Sequence, residues 1–375
     1  DVYKRQIQVL CVTTKLQFGG VQSFLKNYAA GLKDYGVQYN FAVQTDVRQP
    51  LDDYFESLGC KIYHITSMSE SKVGFMRDLF SLLRDHPEIQ IVHSHLNFAN
   101  VYSLISAKLA GVKVRISHSH SNYEPKSFIN DLIKKIIKLI GWKILATDYW
   151  ACGKEAGTWL YGNTNKVKVI KNAIDTEKFK YKDSIRKRIR EELKIDGDFV
   201  WVNVGSFSKS KNHKFLLDIF SDCKKLNPNS KLILCGDGEQ RDPIQSIIES
   251  KQLTDSVLLM GNVDNCQDYL FASDIFVFPS LFEGFPLSVA EAESTGLQCV
   301  LSKAIPVEVI DFKYAVKIDD FDKDKWISAI DSFQKAPLKL TDRQVAVDGI
   351  KRKGLDLSEE VRKLAQLYKC ALSKK

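Results

Sequence analysis

Glu283-Gly284-Phe285-Pro286-Leu287-Ser288-Val289-Ala290-Glu291 is the stretch from which this 375-residue chain is best understood. Proline is accepted at the start of a helix and disrupts its interior. The Gly-Phe-Pro corner therefore opens a helix, with Glu283 in the loop before it and Glu291 inside it. Backbone N–H groups of Phe285, Leu287 and Ser288 have no intrahelical acceptor at such a start, and the positive end of the helix dipole adds to them. This makes an anion site between two carboxylates that seek hydroxyls. A ligand with a phosphate and two sets of hydroxyls is a nucleotide sugar, with one acid on the ribose diol and the other on the sugar. The plain alternative is two acids on a solvated helix start, where they favour the dipole.

The surroundings extend the pattern. Residues 272–280 form a short apolar run that ends in a Pro279-Ser280 turn, and residues 292–300 continue a helix stopped at Gly296 before a new strand. Together these stretches resemble the E-x-F-x-x-x-x-x-E motif of retaining glycosyltransferases of family 4, and the resemblance covers nearly the whole chain from Ile7. It implies an α/β GT-B fold: two doubly wound Rossmann-like domains facing a cleft, with a C-terminal helix crossing back to the first domain. It further implies that Glu283 contacts the donor sugar and that Glu291 holds the ribose. The stretches 115–120, 205–213 and 274–291 look most like bacterial capsule or exopolysaccharide transferases.

Length agrees with two domains, since a single core rarely serves 375 residues. Hydrophobic content of 44% is that of a soluble globular protein, and no run approaches the roughly 20 apolar residues of a membrane span. No signal-peptide core is seen, so a cytoplasmic protein is expected, peripheral on the inner face of the plasma membrane if it meets lipid. Residues 1–6 look like an appended or truncated beginning and are left out of the fold reading. Eight cysteines without a C-x-x-C pair read as buried free thiols in a reducing compartment. The net charge of +8 fits a protein that meets anions, without a nucleic-acid signature.

Strand and helix patterns alternate along the chain, as parallel α/β sheets require. Strands are expected at 7–13, 39–44, 89–93, 112–117 and 167–170, then at 199–204, 231–235, 257–260, 275–278 and 298–301. The expected organisation is an acceptor-side domain at 1–174, a linker with a short basic helix at 175–198, a nucleotide-sugar domain at 199–355, and a returning helix at 356–375. Doubly wound sheets bind ligands beyond the carboxyl ends of their strands.

The turns after those strands supply the remaining candidates. Gly19-Gly20 lets backbone approach a ligand closely, or simply makes a turn. The resemblance puts it against the donor diphosphate and the acceptor. Gly205-Ser206-Phe207-Ser208-Lys209-Ser210-Lys211 stands where the family has G-R-x-x-x-x-K, with Lys211 in register and Ser206 in place of the arginine. Lys209 is a substitute without the bidentate geometry of Arg. Gly236 and Val263 lie in turns that wall the nucleotide base in the family, or are ordinary strand-to-helix turns. The donor-binding candidates are thus Gly19, Gly20, Gly205, Ser206, Lys211, Gly236, Val263, Phe285, Pro286, Leu287, Ser288 and Glu291, with Glu283 and His118 as catalytic ones.

His93-Ser94-His95 and His118-Ser119-His120 close two first-domain strands. The period-two spacing suits a metal, but no acid cluster stands near to complete a site. By resemblance one histidine reaches the reacting carbon; His118 and His120 are both eligible, with His118 preferred. Two D-x-D matches, at 196–198 and 322–324, sit in charged or turn-like runs, so no metal and no cofactor is expected beyond a donor of UDP or GDP type. Residues 127–146 form a basic amphipathic segment with Trp142, either a surface helix packed on the sheet or one lying on an anionic membrane. The second case favours a polyprenyl-linked acceptor over a free glycan. Competing functions are a non-catalytic partner that binds nucleotide sugar or membrane, which Ser206 favours, and a nucleotide-sugar epimerase of similar fold.

Overall fold

The computed structural model describes residues 6–17, 19–120, 137, 142–162, 165–310 and 313–374. Two compact units emerge, Asp1–Ala173 with Leu357–Lys375, and Ile174–Asp356. The first holds seven strands: β1 (Ile7–Thr13), β2 (Val37–Val43), β3 (Ile62–His64), β4 (Ile89–Ser94), β5 (Val114–Ser119), β6 (Asp148–Ala151) and β7 (Val167–Val169). All pair in parallel, in the order β3-β2-β1-β4-β5-β6-β7. The central strands are apolar on both faces because helices cover both; every residue of β2 is buried. The order reverses between β1 and β4, which opens a crevice at their carboxyl ends.

One covering layer comes from both ends of the chain. Helix Gly20–Asp34 and helix Leu357–Ser373 share a core with β1 and β2 that includes Phe24, Tyr28, Phe41, Leu364 and Tyr368. Tyr368 reaches through that core, with its hydroxyl 2.9 Å from that of Tyr39 and 2.6 Å from His93 Nδ1.

The second unit holds β8 (Phe199–Val204), β9 (Ser230–Cys235), β10 (Val257–Gly261), β11 (Ile275–Phe278), β12 (Gln298–Ser302) and β13 (Ala315–Ile318), in the parallel order β10-β9-β8-β11-β12-β13. Its switch point lies between β8 and β11. β3, β6 and β13 are strands of three or four residues that the alternation of patterns did not reveal.

Residues 175–198, expected as a linker, belong to the second unit. The basic helix Asp183–Leu193 packs by its arginines: Arg186 Nη1 lies 2.8–3.1 Å from the carbonyls of Phe271, Ala272 and Ser273. Those carbonyls end the helix Cys266–Ala272, where cations are favoured. Arg343 does the same from the other side, donating to the carbonyls of Leu270, Ser273 and Thr295 while its guanidinium stacks on Tyr181. It is 4% exposed. Arg343→Leu is expected to strand those acceptors and to cost about 3 kcal/mol, with buried unsatisfied groups worth about 1–3 kcal/mol each and not additive. Denaturant unfolding checks this; a loss below about 1 kcal/mol would show that water replaces the guanidinium without penalty.

All eight cysteines are free thiols; six are buried, Cys266 is half-buried, and Cys370 is exposed against expectation. No helix among the described residues is long and apolar enough to cross a membrane.

Candidate functional site

The switch point of the second unit gathers the acid loop and the lysine loop. Chain leaving β11 passes Pro279, Ser280 and Glu283, then Pro286 caps the helix Leu287–Ser294 with φ −75° and ψ 101°. Proline thus stands one residue before the helix and not within its first turn. Chain leaving β8 runs through Gly205 and Ser206 into a short 3-10 turn, Lys209–Lys211. The two loops are stitched together: Leu281 N donates to the Ser210 carbonyl at 2.7 Å.

That stitching brings Lys211 Nζ to 2.5 Å from Glu283 Oε1. The side chains are only 17% and 7% exposed, so the pair is sheltered from solvent screening. Lys211 also lies over the Phe278 ring. Ser280 Oγ sits 2.5 Å from the same carboxylate oxygen and 2.9 Å from the Ser210 carbonyl, which orients the acid. Ser280 in turn is held by the hydroxyl of Ser302, which donates to its carbonyl. Ser280 was missed in the sequence, where it read only as part of a turn; its signal is a hydroxyl three residues before the acid.

Backbone N–H groups of Leu287 and Ser288 find no acceptor among the described residues, and Val289 bonds back to Pro286. Phe285 and Leu287 are half-buried and pack on the core under this corner. One helical turn on, Glu291 is half-buried, and its carboxyl is pushed up to about 7 by burial, with Lys178 opposing. Lys178 comes from the stretch first taken as linker. A cation, a carboxylate, free N–H groups and a second carboxylate thus follow one another along a single edge.

The glycine turns divide into two kinds. Gly236, φ +148°, lies so close to the β8 turn that a Cβ there would sit 1.9 Å from the Gly205 carbonyl oxygen. Backbone bonds lock the same turns, Gly205 N to Cys235 O and Phe207 N to Asp237 O, each 2.9 Å. Gly236 is therefore required by packing, which is the plain reading of that turn. Val263 is half-buried beside it and belongs to the same core cluster. Ser206 is exposed, 3.3 Å from the Ser208 hydroxyl. In the first unit Gly19 caps helix Gly20–Asp34 in extended backbone, and a Cβ on Gly20 would meet nothing within 4 Å. Open space there suits the approach of a ligand.

His118 is fully buried on β5, with Nδ1 3.0 Å from His93 Nε2 and the ring of Phe24 against it. Of the two eligible histidines, His120 is the one with exposed surface. Burial holds His93, His95 and His118 well below the usual imidazole range and His120 at about 3. In the segment 127–146, residues 127–136 and 138–141 lie outside the described residues. Trp142 is buried, with its indole N–H given to the Leu160 carbonyl, so this ring serves the core and not a membrane.

Two doubly wound parallel sheets, each in its own unit, are the architecture of the GT-B fold. The chain belongs to glycosyltransferase family 4: residues 18–178 match Glycosyltransferase Family 4, and residues 185–346 match Glycosyl transferases group 1. It is 30% identical over 317 residues to the UDP-Gal:alpha-D-GlcNAc-diphosphoundecaprenol alpha-1,3-galactosyltransferase of Escherichia coli, spanning 79% of this chain and 78% of that one. It is 27% identical over 296 residues to the capsular polysaccharide biosynthesis glycosyltransferase CapH of Staphylococcus aureus, spanning 76% and 78%. Among solved structures, Anabaena HepE in complex with UDP-glucose superposes with a TM-score of 0.80 at 18% identity, over 97% of this chain and 100% of that one.

Proposed function

We propose that the protein transfers a sugar from a nucleotide diphosphate of UDP or GDP type to a hydroxyl of a polyprenyl-linked or free glycan acceptor, with retention, in bacterial capsule or exopolysaccharide synthesis. The contact between Lys211 and Glu283 carries the reading. A sugar 1-phosphate presents an anionic oxygen and ring hydroxyls a few ångström apart, and a lysine one hydrogen bond from a carboxylate offers the matching pair. Lys211 and the N–H groups of Leu287 and Ser288 would meet the diphosphate, Glu283 the sugar, and Glu291 the ribose diol.

In the transfer, the bond from the anomeric carbon to the leaving phosphate breaks and a bond to the acceptor oxygen forms on the same face. The acceptor proton passes to the leaving phosphate, so no separate base is needed, and the protein contributes position and charge. No metal is proposed at the donor: Asp322 instead caps the helix Lys323–Lys335, accepting from Asp324 N, and Asp196 is exposed beside Arg190. No cofactor is proposed. Relatives named for a diphosphoundecaprenol acceptor support a lipid-linked acceptor here. It would be met at the cytoplasmic face of the membrane.

Screening nucleotide sugars with and without lipid-linked acceptors, with the product anomer read by NMR, tests the proposal. Nucleotide released in neither case marks a binding protein, and an inverted anomer overturns retention.

Glu291 adds a pH signature. An ionised carboxylate accepts both ribose hydroxyls, and burial delays ionisation to about pH 7. UDP affinity is therefore expected to fall nearly tenfold per unit as pH drops below 7 and to level off above it. The same shift lowers stability: the folded group stays protonated while the unfolded one ionises near its ordinary value of 4.5, so the loss accrues from there to about 7. Glu291→Gln should flatten both profiles, in titration calorimetry and in thermal melts. An affinity profile unchanged by this substitution removes Glu291 from the ribose.

A further inference from the structure

Four histidines separated by up to 27 residues in sequence, His93 to His120, meet at the carboxyl ends of the adjacent strands β4 and β5. We propose that His95, His118 and His120 bind a divalent transition-metal ion of the zinc class within the first unit. One ring nitrogen from each lies within 4.8 Å of the other two. Nitrogens bound to zinc at about 2.0–2.1 Å in a tetrahedron stand about 3.3 Å apart, a closure that small side-chain rotations supply.

Two of the three rings already have a nitrogen to spare. His95 Nε2 and His118 Nε2 are buried and have no hydrogen-bond partner among the described residues. Such groups are costly to leave unmet, and a metal ion between them would satisfy both. The outer contacts fit as well. His118 Nδ1 lies 3.0 Å from His93 Nε2, His93 Nδ1 lies 2.6 Å from the Tyr368 hydroxyl, and that hydroxyl lies 2.9 Å from the hydroxyl of Tyr39. With His118 Nδ1 as the donor into this chain of contacts its Nε2 lone pair is bare, and the outer ring nitrogen is held by a partner as is usual for a ligating histidine.

His120 completes the set by turning from its 2.7 Å contact with His95 Nδ1. Its partial exposure provides the entry path, and water takes the fourth position. The neighbouring group Cys11, His93 and His95 is the weaker candidate, since both nitrogens of His93 are engaged. Neither histidine pair has an acid cluster near it in sequence; the further ligands come from the next strand of the sheet.

The test uses the full chain, stripped with chelator and dialysed, titrated with Zn2+ by calorimetry and with Co2+ by visible absorption. One ion per chain is expected, with cobalt d–d bands and no thiolate charge-transfer band. His95→Gln and His118→Gln should each weaken binding at least 100-fold, and His93→Gln about 10–100-fold through loss of its contact with His118 Nδ1. His120→Gln changes a partly exposed side chain, so it keeps the test sound should the buried variants misfold; it should also lose at least tenfold. No Zn2+ binding by the wild type, a thiolate band, or unchanged affinity in folded His120→Gln would overturn the proposal.

Discussion

Glu283→Gln is expected to lower kcat/KM for transfer about 10²- to 10³-fold, the scale of losing one preorganised electrostatic contact to the reacting group. The same substitution should leave UDP bound at least as tightly as before. Lys211 Nζ, 2.5 Å from Glu283 Oε1, is half-claimed by that carboxylate in the free protein. A neutral amide releases the ammonium toward the diphosphate, while the sugar loses its charged acceptor. Because the two side chains are 17% and 7% exposed, the effect should persist at high salt, unlike that of a surface pair. Steady-state kinetics with the accepted donor, paired with UDP calorimetry, separate the two consequences. Equal losses in UDP affinity and in kcat/KM would mean that Glu283 serves the nucleotide and not the sugar.

Gly236→Ala is expected to destabilise the second unit by about 3 kcal/mol, the upper range for forcing a side chain into a conformation reserved for glycine. The Cβ would stand 1.9 Å from the Gly205 carbonyl oxygen and 3.4 Å from the buried Phe207 ring, and the clashing atoms are backbone that cannot swing away as a flexible side chain would. For a unit of this size that is a fall of roughly 6–12 °C in Tm. Gly20→Ala is the informative contrast: its Cβ enters open space at a helix start. Tm should hold or rise slightly, while transfer falls if the donor or acceptor lies against that backbone. Differential scanning calorimetry reads both. A Gly236→Ala protein that melts with the wild type would show that the β8 and β9 turns separate freely.

Strands β1, β8 and β11 were legible because parallel strands covered on both faces are written as mainly apolar runs, here IQVLCVT, FVWVNV and the all-apolar IFVF. Ile62–His64 and Asp148–Ala151 were not, since three or four residues mixed with Tyr, His and Asp carry no period. Within the site, Glu283 and Lys211 could be named from their loops, yet their contact is a product of sheet order. β8 and β11 are neighbours although three helices and two strands lie between them in the chain. Lys178 was lost to the linker because a run rich in charge reads as solvated until its arginines find carbonyls to bind. His118 was preferred for its nearness to the strand end, but side chains alternate along a strand and burial depends on the helix above. Here Phe24 closes over it.

The helix Leu357–Ser373 builds the core of the unit it forms with Asp1–Ala173, with Tyr368 and Leu364 among the strands of residues 7–43. The intervening unit has its ends side by side, Ile174 N bonding to Leu355 O at 3.0 Å. During synthesis residues 174–356 can therefore close before the core of residues 7–43 is complete, since that core waits for residues 357–373. A chain cut before Leu357 would lose part of the first unit's interior, and the unit 174–356 is a natural cassette for exchange between related transferases.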